Sequence, residues 1–230
     1  MKRVLLKISG EAFSGSNNSI DMSAANTVAN MIEQLDVGGY ELAIVVGGWN
    51  IYRGSKLIAA GLTPADSHNM SMLSTVFNAM TLQNVLNNRG VESLVLDALH
   101  IEFLQDYTSE KWKKYLNQGK IVILSSGTGC PYFSTDTGAV LRALELDCEA
   151  VIKLTKVDGV YDKDPMKYED ALFISEISGN DFIAQNLQVF DQTGIILARD
   201  NTLPIFVTKL DDYKSLEKII LGKQAGTKIF

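Results

Sequence analysis

The sequence predicts an α/β fold, a three-layer α/β/α sandwich built around a mainly parallel sheet. Three observations lead there: short β-rich apolar runs recur along the chain, helical periods fall between them, and the two kinds of segment alternate. The runs occupy residues 4–8, 42–46, 94–96, 121–124, 151–154 and 205–207. They are nearly continuous rather than alternating, as expected for strands buried on both faces and therefore paired in parallel beneath helices.

The segments between the runs supply the helices. Val28, Met31, Ile32 and Leu35 recur at i, i+3, i+4 and i+7, with Asp21 or Ser23 as N-cap candidates and Gly38-Gly39 as the stop. Met72, Val76, Met80, Leu82 and Val85 predict a long helix ending near Gly90, suited to the core by default or to an interface. Ala139, Ala143 and Leu146, beside Val140 and Leu144, mark another helix after Asp136. The order β-α-β-α-β implies a doubly wound sheet. No internal repeat, low-complexity tract or Pro-rich linker divides the chain, so residues 1–230 are read as one domain. The charged segment 162–170 reads as a solvated loop, compatible with closure over a ligand.

Composition narrows the function. With 21 Lys and Arg against 27 Asp and Glu, the net charge is −6, which argues against a broad nucleic-acid footprint. Anionic phosphates would have to be attracted by a few local cations and backbone N–H groups, because the overall field repels them. No leader-like apolar stretch precedes the first run and no eighteen-residue apolar run occurs, so the expectation is a soluble cytoplasmic protein without a membrane partner. Cys130 and Cys148 form no CxxC pair and lie far from a histidine cluster, since His68 and His100 are themselves well separated; no metal site is expected.

In open α/β sheets, ligands bind beyond the carboxyl ends of the strands. Three of those ends are glycine-rich: Lys7-Ile8-Ser9-Gly10-Glu11, Gly47-Gly48-Trp49-Asn50 and Ser125-Ser126-Gly127-Thr128-Gly129. Glycine lets a backbone approach phosphate closely and expose successive N–H donors. No GxxxxGK[ST] motif is present, which disfavours a P-loop kinase. Lys7, inside a predicted strand near its end, reads equally well as a cation aimed at a transferring phosphate and as a lysine reaching for water. Asp136 is read both as an N-cap and as a catalytic carboxylate that orients polar neighbours.

Four blocks together resemble the ordered motifs of bacterial uridylate kinases, members of the amino acid kinase family. They are Lys7 to Glu11; Gly47-Gly48 with Asn50-Ile51-Tyr52-Arg53-Gly54; Gly127-Thr128-Gly129 with Pro131 to Asp136; and Thr155 to Tyr161 through Asp164-Pro165. Val189-Phe190-Asp191 and Leu197-Ala198-Arg199-Asp200 are similar as well. The resemblance implies ATP-dependent phosphorylation of UMP, with magnesium carried by the nucleotide. It implies that Lys7, Ile8, Ser9, Gly10 and Arg53 hold the donor phosphates, with Trp49 beside them, and that Thr155, Tyr161 and Asp164 line the adenosine site. Gly48, His68 and the run Thr128, Gly129, Cys130, Pro131, Tyr132, Phe133, Ser134 and Thr135 would frame UMP, with Lys7 as the main electrostatic catalyst. It also implies a homohexamer and, in many members, control by GTP, against which the stretch 14–19 looks shortened.

The sequence departs from those motifs at four points. Trp49 stands where a third glycine is usual, His68 where an aspartate meets the acceptor ribose, Ser71 where a glycine follows, and Cys130 where an asparagine frames the uracil. His68 also reads as a solvated helix-start residue, with Asp66 able to supply the carboxylate by a register shift; Cys130 reads as a small space-filler beside Pro131, and Cys148 as packing at a helix end. A phosphotransferase of this fold with another acceptor, and a non-catalytic nucleotide-binding regulator, are the competing functions.

Overall fold

The computed structural model describes residues 1–15, 19–35, 39–52, 54–106 and 108–230. In chain order the elements are β1 (Arg3–Ile8), a 3-10 turn (Gly10–Phe13), α1 (Met22–Gln34), β2 (Glu41–Val46), α2 (Gly54–Ala59), α3 (Pro64–Asn87), β3 (Ser93–Asp97), β4 (Gln105–Asp106), α4 (Ser109–Asn117) and β5 (Ile121–Ser125). There follow α5 (Thr135–Glu145), β6 (Ala150–Thr155), β7 (Val160–Tyr161), β8 (Phe173–Ile174), β9 (Glu176–Ile177), α6 (Gly179–Ala184), α7 (Gln192–Asp200), β10 (Ile205–Lys209), α8 (Tyr213–Ile220) and β11 (Thr227–Ile229).

Among the described residues nine strands form one sheet in the order β4-β3-β5-β2-β1-β6-β10-β11-β9, and β7 and β8 make a separate antiparallel pair. All pairings in the sheet are parallel except that of β10 with β11. Each apolar run lies within one of the six principal strands. The two-residue side-chain period sorts them between two cores: Val4, Leu6, Ile8, Leu42, Ile44 and Val46 pack under α1, α3 and α8. Leu5, Ala43, Val45 and Val151 pack under α4, α5 and α7, where Trp112, Val140 and Ile195 meet them. Both faces are covered by helices, which is why the runs do not alternate regularly with polar residues.

Asp21 caps α1, its Oδ1 accepting from the Ala24 N–H at 2.9 Å. The helix stops at Gln34, before the expected Gly38-Gly39 signal, of which Gly38 lies outside the described residues. Helix α3 starts earlier than its apolar period suggested, at Pro64, because Thr63 caps it and Pro64 fits its first turn. Its inner side buries Ala79, Leu82 and Leu86 while Leu73 and Phe77 are exposed, so it is a core helix with a bare outer strip. Segment 162–170 falls between β7 and β8. Much of the stretch 14–19 read against GTP control lies outside the described residues.

Candidate active site

The strand order places the ends of β5, β2, β1 and β6 side by side, so the three glycine-rich loops and Thr155 share one edge of the sheet. The loops after β1 and β2 touch directly. Gly47 N–H donates to the Ile8 carbonyl at 2.8 Å, and a Cβ on Gly10 would lie 2.6 Å from Trp49 N and 2.7 Å from Asn50 Oδ1. A Cβ on Gly48 would lie 2.7 Å from Ser74 Cβ on α3. These two glycines are therefore required by backbone packing before any ligand is considered. Asn50 and Asn78 exchange side-chain hydrogen bonds at 3.0 and 2.7 Å, and Asn78 also donates to the Gly47 carbonyl at 2.7 Å, fastening the second loop to α3. Trp49 stands out from this loop with its side chain largely exposed.

Lys7 shares its strand face with Leu5, beneath α5. Parallel register sets Lys7 opposite Lys153 of β6, so two ammonium groups project from neighbouring strands to the same side. Asp136, the second residue of α5, lies between them. Its Oδ1 is 2.6 Å from Lys7 Nζ, an ion pair rather than an aligned hydrogen bond, and its Oδ2 accepts from Lys153 Nζ at 2.7 Å. Lys153 also donates to the Val189 carbonyl at 2.6 Å, and its Nζ stands 5.1 Å from the centre of the Phe190 ring. Lys7 is only 6% exposed and Asp136 8%.

Burial opposes the charge on Asp136, but Lys7 and Lys153 together outweigh it and hold the carboxyl at about 2. For Lys153, burial and then the Lys7 charge lower the ammonium to about 8, with Asp136 opposing both. Lys153 also feels the Asp191 carboxylate, so the two buried cations are set between two anions at the strand ends. The N-cap of α5 is Ser134, whose Oγ accepts from Thr137 N–H at 3.2 Å, so the capping alternative for Asp136 is corrected. Lys153 was missed in the sequence, although the signal that singled out Lys7, a lysine within an apolar run near its carboxyl end, applies equally to it.

The loop between β5 and α5 is rigid at its base. Ser126 and Gly127 have φ of 62° and 54°. Asp97, fully buried, accepts from the hydroxyls of Ser125 and Ser126, and Ser126 N–H donates to Thr75 Oγ1 at 2.7 Å. Arg142 donates twice to the Gly127 carbonyl, at 3.2 and 3.0 Å. Beyond that base, Thr128 exchanges hydrogen bonds with the Cys130 backbone, and Tyr132 N–H donates to His68 Nδ1 at 2.8 Å. Pro131 follows Cys130, and Phe133 is half exposed. Ser134 and Thr137 hydroxyls both donate to Asp191, the N-cap of α7, which ties the start of α5 to α7. Thr135 opens the helix. Cys130 is exposed, which corrects its reading as a space-filler; Cys148 is buried after α5, its thiol pushed up to about 12 by burial.

The remaining donor residues are less tightly gathered. A cavity of about 370 Å³ at the ends of β1, β6 and β10 is lined by Ser9, Thr155, Lys156, Lys209 and Asp211 among others. Thr155 Oγ1 also donates to the Val157 carbonyl at 2.7 Å. Tyr161 and Asp164 are outside that lining: Tyr161 donates to Asp158 Oδ1 at 2.7 Å, and Asp164 accepts from Met166 N–H at 3.0 Å in the following turn. Arg53 lies outside the described residues. Among the described residues no group of three or more His, Cys, Asp and Glu side chains could hold a metal ion, and no helix is long and apolar enough to cross a membrane.

A family model described as "Amino acid kinase family" matches residues 2–209. The chain belongs to the amino acid kinase family. Within it, a uridylate kinase of Campylobacter jejuni is 43% identical over 224 residues, covering 96% of this chain and 94% of the relative. The crystal structure of UMP kinase from Bacillus anthracis superposes with a TM-score of 0.94 at 34% identity, covering 99% of this chain and 95% of that one. That of UMP kinase from Ureaplasma parvum gives 0.90 at 31%, covering 99% and 98%. This amino acid kinase family member therefore carries the expected fold over nearly its whole length, departures at Trp49, His68, Ser71 and Cys130 included.

Proposed function

We propose that this protein transfers the terminal phosphoryl group of ATP to UMP, giving UDP and ADP. The observation that carries the reading is the Lys7–Asp136–Lys153 cluster at the carboxyl edge of the sheet, in a chain so similar to uridylate kinases over almost its full length. Phosphoryl transfer asks for positioning and charge neutralisation more than covalent participation. A phosphate oxygen of UMP is already anionic and attacks the terminal phosphorus directly, so no general base is required; the bond to the bridging oxygen breaks and ADP leaves. Lys7 faces the transferring group and offsets its negative charge. Asp136 and Lys153 hold that ammonium in place, and the loops after β1 and β2 offer backbone N–H groups to the donor.

The donor nucleoside fits the cavity beside Ser9 and Thr155, with Tyr161 and Asp164 reaching it from the β7 side, and Arg53 is proposed as a further phosphate ligand. UMP is proposed to lie against Gly48 and the loop from Thr128 to Thr135. Magnesium is proposed to arrive on the ATP phosphates. The protein's own donor set does not fit a metal cage, because Asp136 is engaged by two ammonium groups. We further propose that the chain acts as one domain, in the cytoplasm, as a homohexamer, with the bare strip of Leu73 and Phe77 on α3 available for assembly. ADP formation measured with UMP, CMP, GMP and AMP in turn is the test. Turnover is expected with UMP in preference to the others. Turnover with another acceptor alone, or with none, rejects the reading.

A further inference from the structure

His68 sits on the first turns of α3, and its Nδ1 accepts the Tyr132 N–H at 2.8 Å while the two rings meet edge to face, 5.0 Å between centres. Tyr132 has φ of 72°, a left-handed conformation that a bulky L-residue adopts only where its surroundings hold it. Its side chain is 68% exposed, so burial contributes little to holding it. Among bonds between described residues, the tip of residues 128–133 makes no other hydrogen bond to a different element; the remaining ones close on the loop itself.

We infer that His68 is a positioning residue that latches the acceptor loop through Tyr132, in place of reading the acceptor sugar as a carboxylate would. The inference rests on the proposal that this loop frames UMP. A nitrogen that accepts a backbone N–H carries no proton, so the neutral ring is protonated at Nε2. Nδ1 is thereby committed to the protein, and Nε2–H is a donor. Neither nitrogen can accept from a ribose hydroxyl, the contact an aspartate at this position would make. His68 sets acceptor affinity by holding the loop in shape, and a ribose hydroxyl could meet it only by accepting from Nε2–H, not by donating as it would to a carboxylate.

Three substitutions separate the two nitrogens. His68→Asn keeps an acceptor near Nδ1, His68→Gln keeps a polar group near Nε2 only, and His68→Ala keeps neither. Amide hydrogen exchange of residues 128–130, 132 and 133 in the ligand-free proteins reads the latch without reference to activity. Exchange at Tyr132 is expected to quicken about tenfold in the Ala and Gln variants, the equivalent of one hydrogen bond, with protection restored in Asn and β1 amides unchanged throughout. In steady-state kinetics the KM for UMP should rise about tenfold in Ala and Gln, with the KM for ATP unaltered. Equal Tyr132 exchange in all four proteins, an Asn variant matching Ala, or parallel rises in both KM values would overturn the latch. If the parent does not phosphorylate UMP, the functional proposal fails while the exchange measurement still decides the latch.

Discussion

Two parts of the same sheet edge handle their polar groups in opposite ways. At the ends of β1 and β6, charge is buried and cross-braced: Lys7 and Lys153 share one carboxylate, and Lys153 reaches on to the Val189 carbonyl. At the tip of the loop after β5, polar groups are exposed and Tyr132 is tied to its surroundings by one imidazole. The first arrangement fixes where charge will be stabilised and costs desolvation that only near-complete pairing offsets. The second leaves room for substitution. His68 and Cys130, two of the four departures from uridylate kinase motifs, fall in this second region, whereas Lys7 and Asp136 are kept. On the proposed function, chemistry is assigned to the region that cannot change a group without stranding a buried charge, and acceptor reading to the region that can.

The largest effect should come from breaking the buried side. Asp136→Asn leaves two ammonium groups without their counter-ion and is expected to destabilise folding by about 3–5 kcal/mol at neutral pH, measured by urea unfolding. In the parent, Asp136 is held at about 2, below its unfolded value of 3.8, so its contribution is complete above 3.8 and is lost as pH falls toward 2. The stability difference between parent and variant should therefore narrow over that window, and a constant difference would assign the loss to packing.

Lys7→Ala should lower kcat by roughly 10²–10³, the effect expected of removing a preorganised charge from the transition state, with a native circular dichroism spectrum but a lowered melting temperature, because the buried Asp136 loses one of its two partners. Near-parent turnover would take Lys7 out of the chemistry and collapse the contrast between the two regions.

Lys153 sharpens the comparison through pH. Its ammonium is lowered to about 8, so in the free enzyme it is charged below that pH and becomes neutral above it. The value of kcat/KM for ATP is expected to fall as pH rises through about 8 in the parent. Lys153→Arg, whose guanidinium stays protonated, should lose that limb while retaining part of the activity. An unchanged pH profile in the variant would show that the limb belongs to another group.

The smallest effect belongs to the exposed side. Cys130→Asn should leave stability within about 0.5 kcal/mol, as expected of an exposed position, while raising the UMP to CMP ratio of kcat/KM by an added side-chain contact. A ratio that stays flat would mean the backbone from Thr128 to Phe133 reads the base alone.

The apolar runs, the glycine loops and Lys7 were legible in the sequence because they are local signals: two-sided burial makes a strand continuously apolar, and close backbone approach excludes a Cβ at Gly10 and Gly48. Helix α4 carried a weaker signal, since Trp112 and Leu116 are its main buried anchors among charged residues, and β4, β9 and β11 are too short to show a period. Tertiary structure alone decided that Lys153 stands opposite Lys7, that Asp136 bridges them while Ser134 caps the helix, and that His68 meets Tyr132 across 64 residues of chain. Register between strands and the seating of helix on sheet set those contacts. They depend on packing the whole core at once, and no spacing along the chain encodes them.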